Sequence, residues 1–111
     1  MSKLILNPFF TILGGEKFFT IEIKNISDDN VNIKSVCIST KGLLRVKKEI
    51  LKCDLILEPN ENLPIHLETI DMSKICGLKT KFTLIVKDSN NLEYESNKYT
   101  LFNLYKPFDN Q

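Results

Sequence analysis

The stretch Phe18–Thr40, FFTIEIKNISDDNVNIKSVCIST, constrains this chain most, because only an extended backbone sorts its residues into a buried face and an exposed one. Phe19, Ile21 and Ile23 alternate with Phe18, Thr20, Glu22 and Lys24, and a strand sends successive side chains to opposite faces. Asn25-Ile26-Ser27-Asp28-Asp29-Asn30 follows, rich in residues whose side chains bond their own backbone and close turns. Val31 and Ile33 then resume the buried phase, but Val36 and Ile38 fall out of step with them. A β-bulge near Lys34-Ser35 returns all four to one side. Two strands joined by a polar loop are therefore predicted here.

The same signals recur along the rest of the chain. Lys3–Leu6 reads as a short strand ended by Asn7-Pro8. Phe9–Leu13 is a short apolar run, and Gly14-Gly15 is a turn before Phe18. Leu43–Lys52 reads as an edge strand plus a loop, and Asp54–Glu58 (DLILE) as a separate apolar strand. Pro59–Asn62 is a turn. Leu63, Ile65, Leu67 and Thr69 alternate with Pro64, His66 and Glu68, the pattern of a half-buried strand. Ile70–Thr80 is expected to be a loop with at most a short helix, capped by Asp71 or Ser73 and ended at Gly77. Lys81–Lys87 places Phe82, Leu84 and Val86 inward, and Asp88–Asn91 is a hairpin turn. Leu92, Tyr94, Tyr99 and Leu101 are expected inward, with a break near Ser96-Asn97. At 111 residues the chain suits one domain, 1–111. Seven or eight short strands at roughly ten-residue spacing predict an all-β fold of two antiparallel sheets packed face to face.

FFTIEIKNISDDNVNIKSVCIS, LILEPNENLPIHLE and FTLIVKDSNNLEYES together resemble the plan of small bacterial immunoglobulin-like and fibronectin-III-like domains. The matching residues are Asn25, Val31, Ile33, Leu57, Pro59, Glu61, Asp88 and Ser89, and the likeness spans about Lys17–Leu101. It implies an immunoglobulin-like antiparallel β-sandwich. It carries no catalytic residues over, since fold alone does not assign function.

Charge narrows the choice of partner. Fifteen Lys and Arg face 14 Asp and Glu, for a net charge of +1. A general nucleic-acid binder usually shows a clear basic excess. Cys37, Cys53 and Cys76 are odd in number and widely spaced, which suits reduced thiols in a cytoplasmic protein; a Cys37–Cys53 bridge remains open for an oxidising compartment. Asn7-Pro8 interrupts the early apolar run and no small-x-small site follows, so a signal peptide is not expected. No run approaches the length of a membrane span.

Each candidate for chemistry has an ordinary reading beside it. His66, the one histidine, could pair with a cysteine as a nucleophilic couple, or simply sit exposed on a strand. The three cysteines with His66 match a zinc ligand set in type, but not in the close spacing such sites use. Asp28, Asp29 and Asn30, and Asp88, Asn90 and Asn91, offer oxygen ligands for calcium, yet they already explain themselves as turn formers. Glu93 and Glu95 share a strand face without a pocket to raise either pKa. Gly14-Gly15 lacks the residues of a phosphate loop. No catalytic residue, metal or cofactor is expected.

The segment 41–52 carries the one functional bet. Lys41, Arg45, Lys47, Lys48 and Lys52 stand against Glu49 alone. Lysines on an edge strand oppose unwanted sheet-to-sheet pairing and also select which partner is tolerated. The expected function is a non-enzymatic protein–protein interaction module, reached through an edge strand such as this one or through loops at one end, with a homodimer as a second use of the edge. A small stand-alone chain without catalytic groups also fits an inhibitor or accessory protein of phage or mobile-element type acting on a host factor. The alternative is a nucleic-acid-binding protein using the same basic segment, although no aromatic residue interleaves it for base stacking.

Overall fold

The computed structural model describes residues 3–40 and 46–104. In chain order the elements are β1 (Leu4–Leu13), β2 (Glu16–Asn25), β3 (Val31–Thr40), β4 (Val46–Leu57), β5 (Asn62–Glu68), α1 (Thr69–Ile75), β6 (Phe82–Asp88) and β7 (Glu93–Glu95). They form two packed antiparallel sheets, ordered β1-β2-β5 and β4-β3-β6-β7. The all-β sandwich expected from the alternation is the observed architecture.

β1 and β2 form a hairpin in which Leu13 pairs with Glu16. Gly14 and Gly15 both take positive φ, 58° and 84°. A two-residue hairpin turn of matching twist requires that geometry, and glycine adopts it without steric cost. The expected break at Asn7-Pro8 does not occur; β1 runs unbroken through Pro8, which pairs with Ile21. The strand tolerates proline because β1 is a sheet edge.

β2 and β3 are joined by the polar loop but do not pair with each other. β2 pairs with β1 and β5, whereas β3 pairs with β4 and β6. Residues 26–30 therefore carry the chain from one sheet to the other. The predicted bulge is present, with register shifting between Ile33 and Ser35 against both neighbours of β3. It keeps Val31, Ile33, Val36 and Ile38 all in the core. β4 is one strand of 12 residues, not an edge strand followed by a separate DLILE strand. A second register shift, between Val36 and Cys37, lets it follow β3. Leu55 and Ile56, read as part of a compact apolar strand, are 41% and 62% exposed.

α1 spans seven residues. Asp71 and Ser73, expected to cap it, lie inside; Glu68 is the N-cap and makes no capping side-chain bond. Its buried Met72, with Cys76 and Leu101, closes one end of the core. Phe82 anchors the centre, edge-to-face with Phe19 at 5.9 Å, and Phe19 meets Phe10 in the same way at 5.7 Å. Leu92 points outward, 55% exposed, contrary to expectation. The turn from Asp88 to Leu92 explains this, since Asn91 takes a φ of 65° and resets the phase before Glu93. Tyr94 and Tyr99 are half-buried and Leu101 is buried. Ser96 marks the strand break, accepting the Leu84 amide on its hydroxyl at 2.8 Å.

Asn25 ties these parts together. It is wholly buried. Its Nδ2 donates to the carbonyls of Asp29 and Leu57, each at 2.8 Å, and its Oδ1 accepts from the amide and hydroxyl of Ser27 at 2.9 and 2.7 Å. Its backbone donates to Glu61 and accepts from Asn60. Asn25→Ala strips all four side-chain bonds and leaves the buried Leu57 carbonyl without that donor. We expect it to destabilise the fold by on the order of 2–4 kcal/mol, read from urea unfolding. A loss within about 0.5 kcal/mol, the range of an ordinary surface change, would remove Asn25 from this role.

Candidate functional site

Two of the five residues singled out for partner binding, Lys41 and Arg45, lie outside the described residues. The other three sit on β4, an outer strand of its sheet, as an edge assignment requires. They do not form one patch. Lys47 pairs with Ser39 and Lys52 with Ser35, both on the outer face of the sheet, while Lys48 pairs with the core residue Ile38 and belongs to the inner side.

Lys47 is also engaged electrostatically. Its Nζ lies 2.8 Å from Glu93 Oε2 on β7, at the far side of the same sheet. Between them run β3 and β6, with Cys37 beside Ile85. Both of these outer-face residues are buried. The pair helps close the sheet's outer face, so β3 and β6 are covered on both sides.

Lys48 borders a groove of about 410 Å³ between β4 and α1. Ile50, Leu67 and Ile75 give it apolar walls, and Glu49, Asp71 and Lys74 add charges of both signs. The groove runs beside the open edge of β4. Farther along that strand, the exposed neighbours Leu55 and Ile56 point to opposite faces, so this part of the edge is bare on both sides.

His66 points away from the core, as expected, and lies on the outer face of the three-stranded sheet. It shares a 2.9 Å hydrogen bond with Thr20 and meets Phe18 edge-on at 6.2 Å. Thr20, expected on the exposed face, is buried there at 1% exposure. Phe9 is its cross-strand neighbour on β1 and His66 on β5, which accounts for its cover. Among the described residues no three His, Cys, Asp or Glu side chains are grouped to hold a metal ion.

In the acidic loops Asp88 and Asp29 are engaged within the chain. Asp88 is buried, its Oδ1 accepting from the amides of Asn90 and Leu92 and its Oδ2 from the Tyr94 hydroxyl at 3.1 Å. Asp29 meets Lys3 at 3.8 Å. Glu93 and Glu95 are both exposed, with Tyr94 turned inward between them.

The thiols are unbridged. Burial pushes all three up from the ordinary value, slightly opposed at Cys37 by the nearby Lys47 ammonium. Reactivity follows the thiolate, so these are weak nucleophiles.

Sequence reasoning missed another concave site, around Thr83. It is lined by Ser39, Lys79, Thr80, Lys81, Phe82, Thr83 and Lys98, with a volume of about 350 Å³. The alternation of Lys79, Lys81 and Thr83 is visible in the sequence, but the arrival of Lys98 depends on the Phe82–Tyr99 bridge. Among the described residues no helix is long and apolar enough to cross a membrane. Comparison with protein-family models, with curated proteins and with solved structures gives no match to this chain.

Two measurements test these placements. In the native protein a thiol reagent should modify half-buried Cys53 first, and Cys37 and Cys76 only after denaturation; equal rates at all three would contradict their burial. Tyr94 has its pKa raised, first by burial and then by the hydrogen bond to Asp88 and its charge. A raised pKa favours the neutral phenol in the fold, so its contribution to stability is present below the unfolded tyrosine value and lost as pH rises through the folded one. Tyr94→Phe should abolish that part of the alkaline decline, measured by urea unfolding across the range.

Proposed function

We propose that this chain is a non-enzymatic protein-interaction module, an immunoglobulin-like or fibronectin-III-like sandwich that engages an extended segment of a partner along β4. The observation that carries this reading is the apolar-walled groove between β4 and α1, lying beside an open strand edge. Strand addition needs both parts: unpaired backbone groups give affinity, and pockets for alternate side chains give specificity. A strand laid on β4 would send every second side chain toward Ile50, Leu67 and Ile75. Lys48 and Lys74 would then select among partners by charge, and exposed Leu55 and Ile56 would extend the contact.

Strand order supports the structural part of the reading. The fourth strand pairs with the third, whereas in the constant-type immunoglobulin arrangement it pairs with the fifth. That difference favours the fibronectin-III-like side of the resemblance. An inhibitor or accessory protein of phage or mobile-element type, acting on a host factor in the cytoplasm, is the biological setting we infer, and a second copy of this chain is a further candidate for the same edge. The nucleic-acid alternative is weakened by the placement of the lysines, since Lys47 is paired with Glu93 and Lys48 faces the other side of the sheet.

The test compares wild type with the double variant Lys48→Glu/Lys74→Glu in crosslinked capture from the native cell and in sedimentation. Exposed charges cost little, so the variant should keep its melting temperature. Wild type should engage a protein partner or a second copy, and the variant should lose most of that binding. Equal binding by both proteins would overturn the groove assignment. Binding of wild type to random-sequence DNA or RNA, falling steeply with salt, would favour the alternative.

A further inference from the structure

We propose that the pocket around Thr83 is a binding site for a phosphate group, carried free or on a small organic ester. The sequence places Lys81 and Thr83 two residues apart on β6, hence on the same face. Ser39 pairs with Thr83 from β3. On the other side Phe82 and Tyr99 exchange both backbone hydrogen bonds, at 2.8 and 2.9 Å. That antiparallel bridge sets Lys98 across from Thr83. Gly77 begins a turn in which its carbonyl accepts from the Thr80 amide at 3.2 Å, and this turn delivers Lys79 and Thr80 to the same rim. A side chain at Gly77 would press on the Thr80 hydroxyl, its Cβ only 3.2 Å away.

Three ammonium groups therefore converge on one concavity. Among the described residues none of them has a carboxylate at ion-pair distance. At its base lies the more telling group. Thr83 is 3% exposed, and its Oγ1 is buried without a hydrogen-bond partner among the described residues. An unmatched buried hydroxyl is costly and rare in a folded protein, and an acceptor arriving from the pocket would satisfy it. A multiply charged oxyanion suits the set, since phosphate offers several acceptor oxygens to lysine and hydroxyl donors at once. The volume of about 350 Å³ lies at the lower end of small-molecule sites and leaves room for more than a bare phosphate.

The experiment is amide chemical-shift titration of the full chain with inorganic phosphate and, separately, phenyl phosphate, at ionic strength held constant with chloride. Saturable shifts centred on residues 79–83 and 98 are expected. Tighter binding of phenyl phosphate would assign an ester, and equal binding would assign the free ion; both support a phosphate site. Thr83→Val keeps shape and strand preference while deleting the unmatched hydroxyl. It should raise the melting temperature and weaken binding about tenfold, the loss expected for one hydrogen bond to a charged group. Lys98→Gln, a fully surface change, should weaken binding without altering the fold. Shifts that never saturate, shifts spread over lysines elsewhere, or undiminished binding by both variants would overturn the proposal.

Discussion

The buried amide of Asn25 is the constraint on which the sandwich depends. A strand that leaves one sheet for another must break its ladder, and a broken ladder inside a core leaves peptide groups without partners. Asn25 sits at that break. Its side chain holds the loop through Ser27 and Asp29 and the end of β4 through Leu57, while its backbone holds the β4–β5 turn through Asn60 and Glu61. One residue thus registers three chain segments against each other. An apolar residue of the same size would pack as well and keep the backbone bonds, but would leave Ser27, Asp29 and Leu57 without theirs.

The two sheets solve their outer faces differently. In the four-stranded sheet β3 and β6 are buried on both sides, with Cys37 and Ile85 beneath a cover to which Lys47 and Glu93 contribute. In the three-stranded sheet most of the outer face is open, and its one buried residue, Thr20, is sheltered between flanking strands. The first arrangement makes a stiff centre with accessible edges. It leaves concavities beside the edge strand β4 and over the start of β6 around Thr83.

Strict alternation made β2, β5 and the inner face of β6 legible, because a one-residue slip would expose every apolar side chain at once. The phase conflict between Ile33 and Val36 made the bulge legible for the same reason. Pro8 misled because its effect depends on whether the strand is an edge, which is a property of the sheet and not of the segment. Joining DLILE to the basic run before it required a second register shift that leaves no signature in the residues themselves. The crossing between β2 and β3 was hidden because a polar loop reads alike whether it closes a hairpin or spans two sheets. The basic edge was legible as an edge but not as two faces. Of the Thr83 pocket only the alternation of Lys79, Lys81 and Thr83 was legible, since Lys98 reaches it through the register of Phe82 with Tyr99.

The pairing of β2 with β5 has a consequence for how the chain is made. Its first partner, β1, is adjacent in sequence through a two-residue turn, whereas Thr20 must find His66 across 46 residues. Closing a short loop costs far less entropy than closing a long one, and non-local pairing slows folding. The first hairpin therefore forms early while the second edge of β2, flanked by Phe19, Ile21 and Ile23, waits for β5. During synthesis that edge stays open until residue 68 has left the ribosome. Over this interval the nascent chain carries β2 paired along one edge only, with Phe19, Ile21 and Ile23 not yet enclosed by the second sheet.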